Sequence, residues 1–159
     1  MPHKPPRLFT AFALLCALAF AAPQAAAQER AVTKEFRHFL NFNSAHVKRK
    51  REILVWLPPG YEAETSRRYP VLYMHDGFTV FATWRLDETA KALIESKQIE
   101  PLIIVMVPNG GTQEARFDEY TPTRDPQAPA GGKADAYGRM LAEELKPFID
   151  SEFRISQNG

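Results

Sequence analysis

The chain has 159 residues, 20 of them Lys or Arg and 19 Asp or Glu, so its charge is close to balanced. That balance gives no ground for a nucleic-acid or anionic-membrane partner, and a single cysteine excludes a disulfide scaffold and a thiolate metal site. Lys4 and Arg7 precede an uncharged, largely apolar run, Leu8 to Ala22, and Ala25-Ala26-Ala27 follows it. Positive start, apolar middle and small-residue end are the order of a secretory signal peptide, and the run is short for a membrane span of about 20 residues. Cleavage after Ala27 removes Lys4, Arg7 and Cys16, leaving 18 basic against 19 acidic side chains, a net charge of −1. The expectation is a secreted or periplasmic protein with a signal peptide over 1–27, a leader over 28–34, one domain over 35–159, and no membrane contact once the signal is removed.

In chain order, Glu35 to Asn43 alternates, with Phe36, His38, Leu40 and Phe42 set against Arg37, Phe39 and Asn41, which predicts a strand. Asn43 to His46 reads as a turn, and Lys48-Arg49-Lys50-Arg51 as a solvated hairpin shoulder. Ile53 to Leu57 is a second strand, rich in β-branched and aromatic residues and ended by Pro58-Pro59. Pro70 to His75 is a short apolar run closed by Asp76-Gly77, which predicts a strand buried on both faces of a parallel sheet. Thr79 to Thr83 reads as an apolar connection. Leu86, Ala90, Leu93 and Ile94 recur at helical spacing between Arg85 and Gln98, and Leu102 to Val107 is a second buried strand. Strand, helix and strand in this order make a βαβ unit. Thr112 to Lys133 has no periodicity and several Pro and Gly, so it reads as a long loop. A final helix follows Asp135, with Tyr137, Leu141, Leu145, Phe148 and Ile149 on one face and a break or kink expected near its end at Pro147.

The chemistry is defined largely by what is missing. There is no GxGxxG and no GxxxxGK[ST], so no nucleotide cradle is expected. After signal cleavage the histidines are His38, His46 and His75; none pairs with another at i+3 or i+4, so neither a metal nor a cofactor is expected. Ser44, Ser66, Ser96, Ser151 and Ser156 all lie outside any GxSxG elbow. The positive feature is Asp76-Gly77-Phe78 at the carboxyl end of a predicted parallel strand, where open α/β sheets place ligands.

Seven segments carry a resemblance: Leu54–Tyr61 (LVWLPPGY), Tyr69–Gly77 (YPVLYMHDG), Leu86-Asp87-Glu88, Glu100–Asn109 (EPLIIVMVPN), Phe117–Pro122 (FDEYTP), Gly131-Gly132 with Asp135-Ala136-Tyr137, and Glu144–Arg154 (ELKPFIDSEFR). In this order and spacing the chain resembles the esterase branch of the α/β-hydrolase superfamily, the branch of siderophore (enterochelin-type) esterases, feruloyl esterases and S-formylglutathione hydrolase. The resemblance implies an α/β fold, the N-terminal half of an α/β-hydrolase, with an antiparallel hairpin leading into strand, helix, strand and helix and stopping before the nucleophile strand. It implies an exported serine carboxylic-ester hydrolase acting on a small-molecule ester. The GxSxG serine, the acid and the histidine of that family have no counterpart here. The alternative is an inactive truncated product or a non-catalytic binding domain, and the 159 residues alone are expected to be inactive. Carried over by position, the Phe78 N–H is a backbone oxyanion donor and Gly77 its turn; Arg116 and Tyr120 are candidates for the pocket mouth. Many relatives have Gln-Asn after the Asp-Gly where this chain has Phe78-Thr79, which leaves the backbone role intact but removes a polar side chain.

Overall fold

The computed structural model describes residues 35–124, 126–127 and 129–156, all within the unit Val32–Gly159; the expected signal peptide and the leader lie outside the described residues. Four strands form one sheet in the order β1-β2-β4-β3: β1 Phe36–Ser44, β2 Arg49–Trp56, β3 Val71–His75 and β4 Ile103–Val107. β1 and β2 form an antiparallel hairpin, β2 is antiparallel to β4, and β3 runs parallel to β4 with Tyr73 opposite Val105. The helices are α1 Gly77–Thr83, α2 Leu86–Glu95, α3 Gln113–Tyr120, α4 Ala134–Arg139 and α5 Lys146–Glu152. A π-helical stretch, Met140–Leu145, joins the last two. Among the described residues, no helix is long and apolar enough to cross a membrane.

The sheet is covered on both faces. Ile53, Val55, Ile103, Val105 and Val107 pack with Tyr137, Met140, Leu145 and Ile149 of the C-terminal helical run. Leu54, Trp56, Ile104 and Met106 point the other way and pack with Phe81 of α1 and Ala90 of α2. The alternation along β2 is the pleat itself, and β4 is buried at all five positions because helices cover both its sides.

Several elements differ from the sequence expectation. β3 is not buried on both faces: Leu72 is 47% exposed, because β3 is the outer strand of the four. The β1 register shifts between Phe39 and Phe42, so both rings pack on the core face that Ile53 and Val55 share. A simple alternation had set Phe39 against Phe42; the bulge brings them to one side. β2 starts four residues earlier than the apolar run, at Arg49, and includes Arg49, Lys50 and Arg51 of the expected solvated shoulder. Residues 77–83 are helical, not a connection. Pro147 does not break the last helix. Its ring has no N–H and collides with a carbonyl one turn back, and the wider π turns directly before it relieve that crowding.

The two ends of the sheet should respond differently to truncation. Ile104→Ala, in the fully covered strand, should cost about 2–5 kcal/mol, whereas Leu72→Ala in β3 should cost about 1 kcal/mol or less. Urea unfolding midpoints of the two variants would check this, and equal losses would contradict an exposed β3 face.

Candidate active site

The carboxyl ends of the parallel strands β3 and β4 lie side by side, and the chain leaves each in a tight turn. After β3, Asp76 (φ 60°) and Gly77 (φ 53°) both take the left-handed conformation before α1 begins. Asp76 tolerates it as a short polar residue can. Gly77 is required there for a second reason: a Cβ would lie 2.9 Å from the Pro108 backbone that follows β4. The two turns are in contact, and only hydrogen fits between them.

The Asp76 side chain locks this contact. Arg116 of α3 donates Nε–H to Oδ1 and Nη2–H to Oδ2, both at 2.8 Å, and Asn109 Nδ2 donates to Oδ1 at 2.9 Å. Asn109 Oδ1 in turn accepts the Gly111 N–H at 2.8 Å. The Asp76 backbone N–H donates to the Tyr120 hydroxyl at 3.1 Å. Three donors on one carboxylate, led by the Arg116 side chain, hold its pKa down from an ordinary 3.8 to about 2. The carboxylate therefore does not cap α1, and the Phe78 N–H in the first turn of that helix carries no hydrogen bond among the described residues.

Behind the turn is an aromatic wall. The Tyr120 ring lies 5.1 Å from the Arg116 guanidinium, 5.7 Å from His75 and 5.3 Å from Tyr137. The Tyr137 hydroxyl is 2.8 Å from His75 Nδ1. Burial pushes the Tyr120 and Tyr137 hydroxyls above their ordinary values, so both stay neutral hydrogen-bonding groups. One layer deeper, Arg51 and Glu119 form an ion pair whose side chains are 2% and 6% exposed, with Arg51 Nη1 also donating to the Pro108 carbonyl at 2.6 Å. This pair ties β2 to α3 and to the turn that Gly77 rests against.

Of the residues singled out from sequence, Gly77, Phe78, Arg116 and Tyr120 are thus brought together at one turn. The bonds of Arg116 and Tyr120 go to Asp76. The structure corrects two sequence expectations here. Arg51 is not on a solvated shoulder, since it lies in phase with Ile53 and Val55 and enters the core. The 112–133 segment is not structureless, since Gln113–Tyr120 is a helix with the Thr112 hydroxyl accepting the Ala115 N–H at its start. That helix has no apolar stripe because its buried residue is Glu119. Sequence reasoning also missed Asn109 and Tyr137. The available signal was Arg51: a charged residue at the inward register of a core strand requires a buried partner. Among the described residues, no three His, Asp or Glu side chains gather as a metal site.

Known proteins match this architecture. A family model described as "Putative esterase" matches residues 44–159, and the chain belongs to that family. An uncharacterised protein, YjcH of Bacillus subtilis (strain 168), is 30% identical over 118 residues, covering 74% of this chain and 45% of that protein. The crystal structure of an IroE-like serine hydrolase from Shewanella oneidensis is 28% identical with a TM-score of 0.64, covering 76% of this chain and 40% of that one. The BES protein of Bacillus cereus is 26% identical with a TM-score of 0.61, covering 78% and 48%. The chain therefore spans about half the length of the relatives it matches.

Three outcomes are expected at this site. Gly77→Ala, facing both a positive φ and the Pro108 backbone, should destabilise by about 2–4 kcal/mol in chemical denaturation. Glu119→Gln leaves Arg51 as an uncompensated buried charge and should cost about 3–5 kcal/mol, well above the cost of replacing both partners by apolar residues of similar volume. The Asp76 carboxyl binds its proton at lower pH in the folded chain than in the unfolded chain. Its contribution is complete above the ordinary 3.8 and is lost as pH falls toward about 2. Thermal melts of Asp76→Asn between pH 6 and pH 2 should therefore show a lower plateau and a shallower acid limb than the unsubstituted protein.

Proposed function

We propose that this chain supplies the oxyanion-binding part of an exported serine carboxylic-ester hydrolase, and that the nucleophilic serine, the acid and the histidine belong to sequence outside these 159 residues. Membership of the esterase family supports the reaction class, and the serine hydrolase among the similar structures supports the type of nucleophile. The share of each relative that the chain covers supports the division of the site. The observation that carries the proposal is the Asp76-Gly77-Phe78 turn: a backbone pinned by Arg116, Asn109 and Tyr120, presenting a Phe78 N–H without an acceptor among the described residues at the carboxyl end of β3.

In this reading a serine hydroxyl attacks the acyl carbon of a small-molecule ester while histidine takes its proton and the acid orients the histidine. The carbonyl oxygen becomes negative as the tetrahedral intermediate forms. The Phe78 N–H donates to that oxygen, with a second donor from the residue after the serine. A fixed donor acts because it needs no reorganisation as the charge develops, and removing one costs about 10²–10³ in kcat in a well-studied protease. Gly77, lacking a side chain, lets the turn close against Pro108, which holds the Phe78 N–H in place. Arg116 and Tyr120 stand at the pocket mouth and act first by holding Asp76. The mechanism uses no cofactor, and the N-terminal signal pattern supports export to a secreted or periplasmic location.

The test uses the complete gene product and p-nitrophenyl esters. Phe78→Pro deletes the N–H at a position in the first helical turn, where proline is tolerated, while Phe78→Leu keeps it. The proline variant should lose about 10²-fold or more in kcat with little change in KM, and the leucine variant should retain activity within about threefold. Equal activity in both variants would refute the assignment. Residues 28–159 expressed alone should show no turnover above background, the outcome that the alternative reading of an inactive product also requires. The two readings part at the complete gene product, which turns over ester only in the first.

A further inference from the structure

Two groups beside the turn, His75 and Tyr137, have no part in the proposed reaction. His75 ends β3 directly before Asp76 and is exposed, whereas Tyr137 is buried. The hydrogen bond between His75 Nδ1 and the Tyr137 hydroxyl, 2.8 Å long, can run in either direction, because a neutral imidazole carries its proton on one nitrogen or the other. The neighbouring groups decide which. The Asp76 carboxylate stays ionised well below neutral pH, so it accepts hydrogen bonds and never donates. Beyond its bonds from Arg116 and Asn109 it takes a further one from the Tyr120 hydroxyl, which adds to the lowering of its pKa that Arg116 leads. The Tyr120 proton is therefore committed to Asp76. The Tyr120 oxygen already accepts the Asp76 N–H at 3.1 Å and can only accept from its other neighbour. That neighbour is Tyr137, whose ring centroid is 5.3 Å away and whose hydroxyl bonds to Tyr120. Burial keeps the Tyr137 hydroxyl protonated, so it is the donor to Tyr120. With that proton spent, the Tyr137 oxygen is an acceptor toward His75.

We propose that His75 is a positioning residue of the oxyanion turn: its Nδ1–H heads a one-way chain of hydrogen bonds, from His75 to Tyr137 to Tyr120 to the Asp76 carboxylate, and so helps to hold the backbone that carries the Phe78 N–H. Bonds that all point the same way polarise one another, so losing the first donor weakens the last bond. Neutral His75 is then the Nδ1–H tautomer, the minority form of a free imidazole in water, with Nε2 bare. The charged ring donates from the same Nδ1, so the chain has one direction in both states. The effect on the reaction rests on the esterase reading above; the chain and the tautomer do not.

The first test is histidine ring-nitrogen NMR of the complete gene product, read where the ring is neutral, with the His75 signals identified by their absence in His75→Asn. Nδ1 should carry the proton and Nε2 should be bare; a proton on Nε2 overturns the chain. In Tyr137→Phe the preference should disappear, and its persistence would also overturn the chain. The second test is kinetic, with p-nitrophenyl esters. His75→Leu should lower kcat about fivefold to tenfold with KM within about twofold, the size expected of one hydrogen bond felt in the transition state. His75→Asn, whose side-chain amide places an N–H near the Nδ1 position, should bring kcat back to within about twofold of the unsubstituted protein. Equal kcat in the two variants overturns the positioning role while leaving the esterase reading standing. If the unsubstituted protein turns over no ester, the esterase reading has failed, and the Gly77 and Phe78 amide signals decide the chain. Shifts in His75→Leu that His75→Asn reverses support it, and signals that stay put or shift alike in both variants overturn it.

Discussion

The Asp76 carboxylate is the constraint on which the rest of the site depends. It joins the exit of β3 to the exit of β4 through Asn109 and to α3 through Arg116. The left-handed conformation costs Gly77 nothing sterically, but at Asp76, a residue with a Cβ, it carries a backbone cost. Three donors on one carboxylate offset that strain, and Gly77 then settles against Pro108 with no atom to spare. Because Asp76 is engaged sideways by Arg116 and Asn109, it does not turn back to cap α1. A capping carboxylate would have occupied the first amides of that helix. Occupied elsewhere, it leaves the Phe78 N–H open.

The buried Arg51–Glu119 pair acts on the same turns from below. Such pairs add little net stability compared with a well-packed apolar substitute, because desolvating two charges offsets most of their attraction. Their effect is directional. Arg51 reaches the Pro108 carbonyl with the same Nη1 that contacts Glu119, so α3 has one position in which both charges and the carbonyl are satisfied. That position puts Arg116, three residues before Glu119 on the same helix, beside Asp76. An apolar contact between β2 and α3 would allow the helix to slide; the ion pair fixes its register.

Much of the fold was legible because burial leaves a periodic trace. Ile103 to Val107 reads as a covered strand since every residue is apolar, and α2 reads as a helix since its apolar residues repeat with its turn. The traces fail where burial is polar or incomplete. α3 buries a glutamate, so its helical period is invisible in a hydrophobic pattern. α1 is seven residues long and follows a strand almost directly, so its apolar residues merge with the strand run. β3 looked fully covered from composition, but exposure depends on which strands flank it, a property of topology that no short run encodes. At the site, glycine and turn chemistry picked out Gly77 and Phe78. The residues that hold them, Asn109 and Arg116, come from segments 31 or more positions away; Asn109 was legible only as a turn residue and Arg116 only as a candidate for the pocket mouth, neither as a partner of Asp76.

The outer edge of β3 gives the proposed division of the site a geometric basis. Ile103 N–H bonds to the Pro70 carbonyl on the β4 side, so Tyr69, one residue earlier, directs its backbone groups away from β4. There it accepts from the Ser156 N–H and donates to the Arg154 carbonyl, a parallel bridge centred on Ile155. The same alternation directs the backbone groups of Val71 and Tyr73 to that outer edge. Beyond that bridge no described strand pairs with this edge, and an open edge of apolar residues is a site where another strand adds readily. A strand entering parallel opposite Tyr69 draws level with Asp76 about seven residues later, at the spacing common to both strands. Under the proposed reading, that is where a nucleophile would have to emerge to face the Phe78 N–H. The bridge at Tyr69 therefore sets, at the far end of β3, the register on which the two halves of the site would meet.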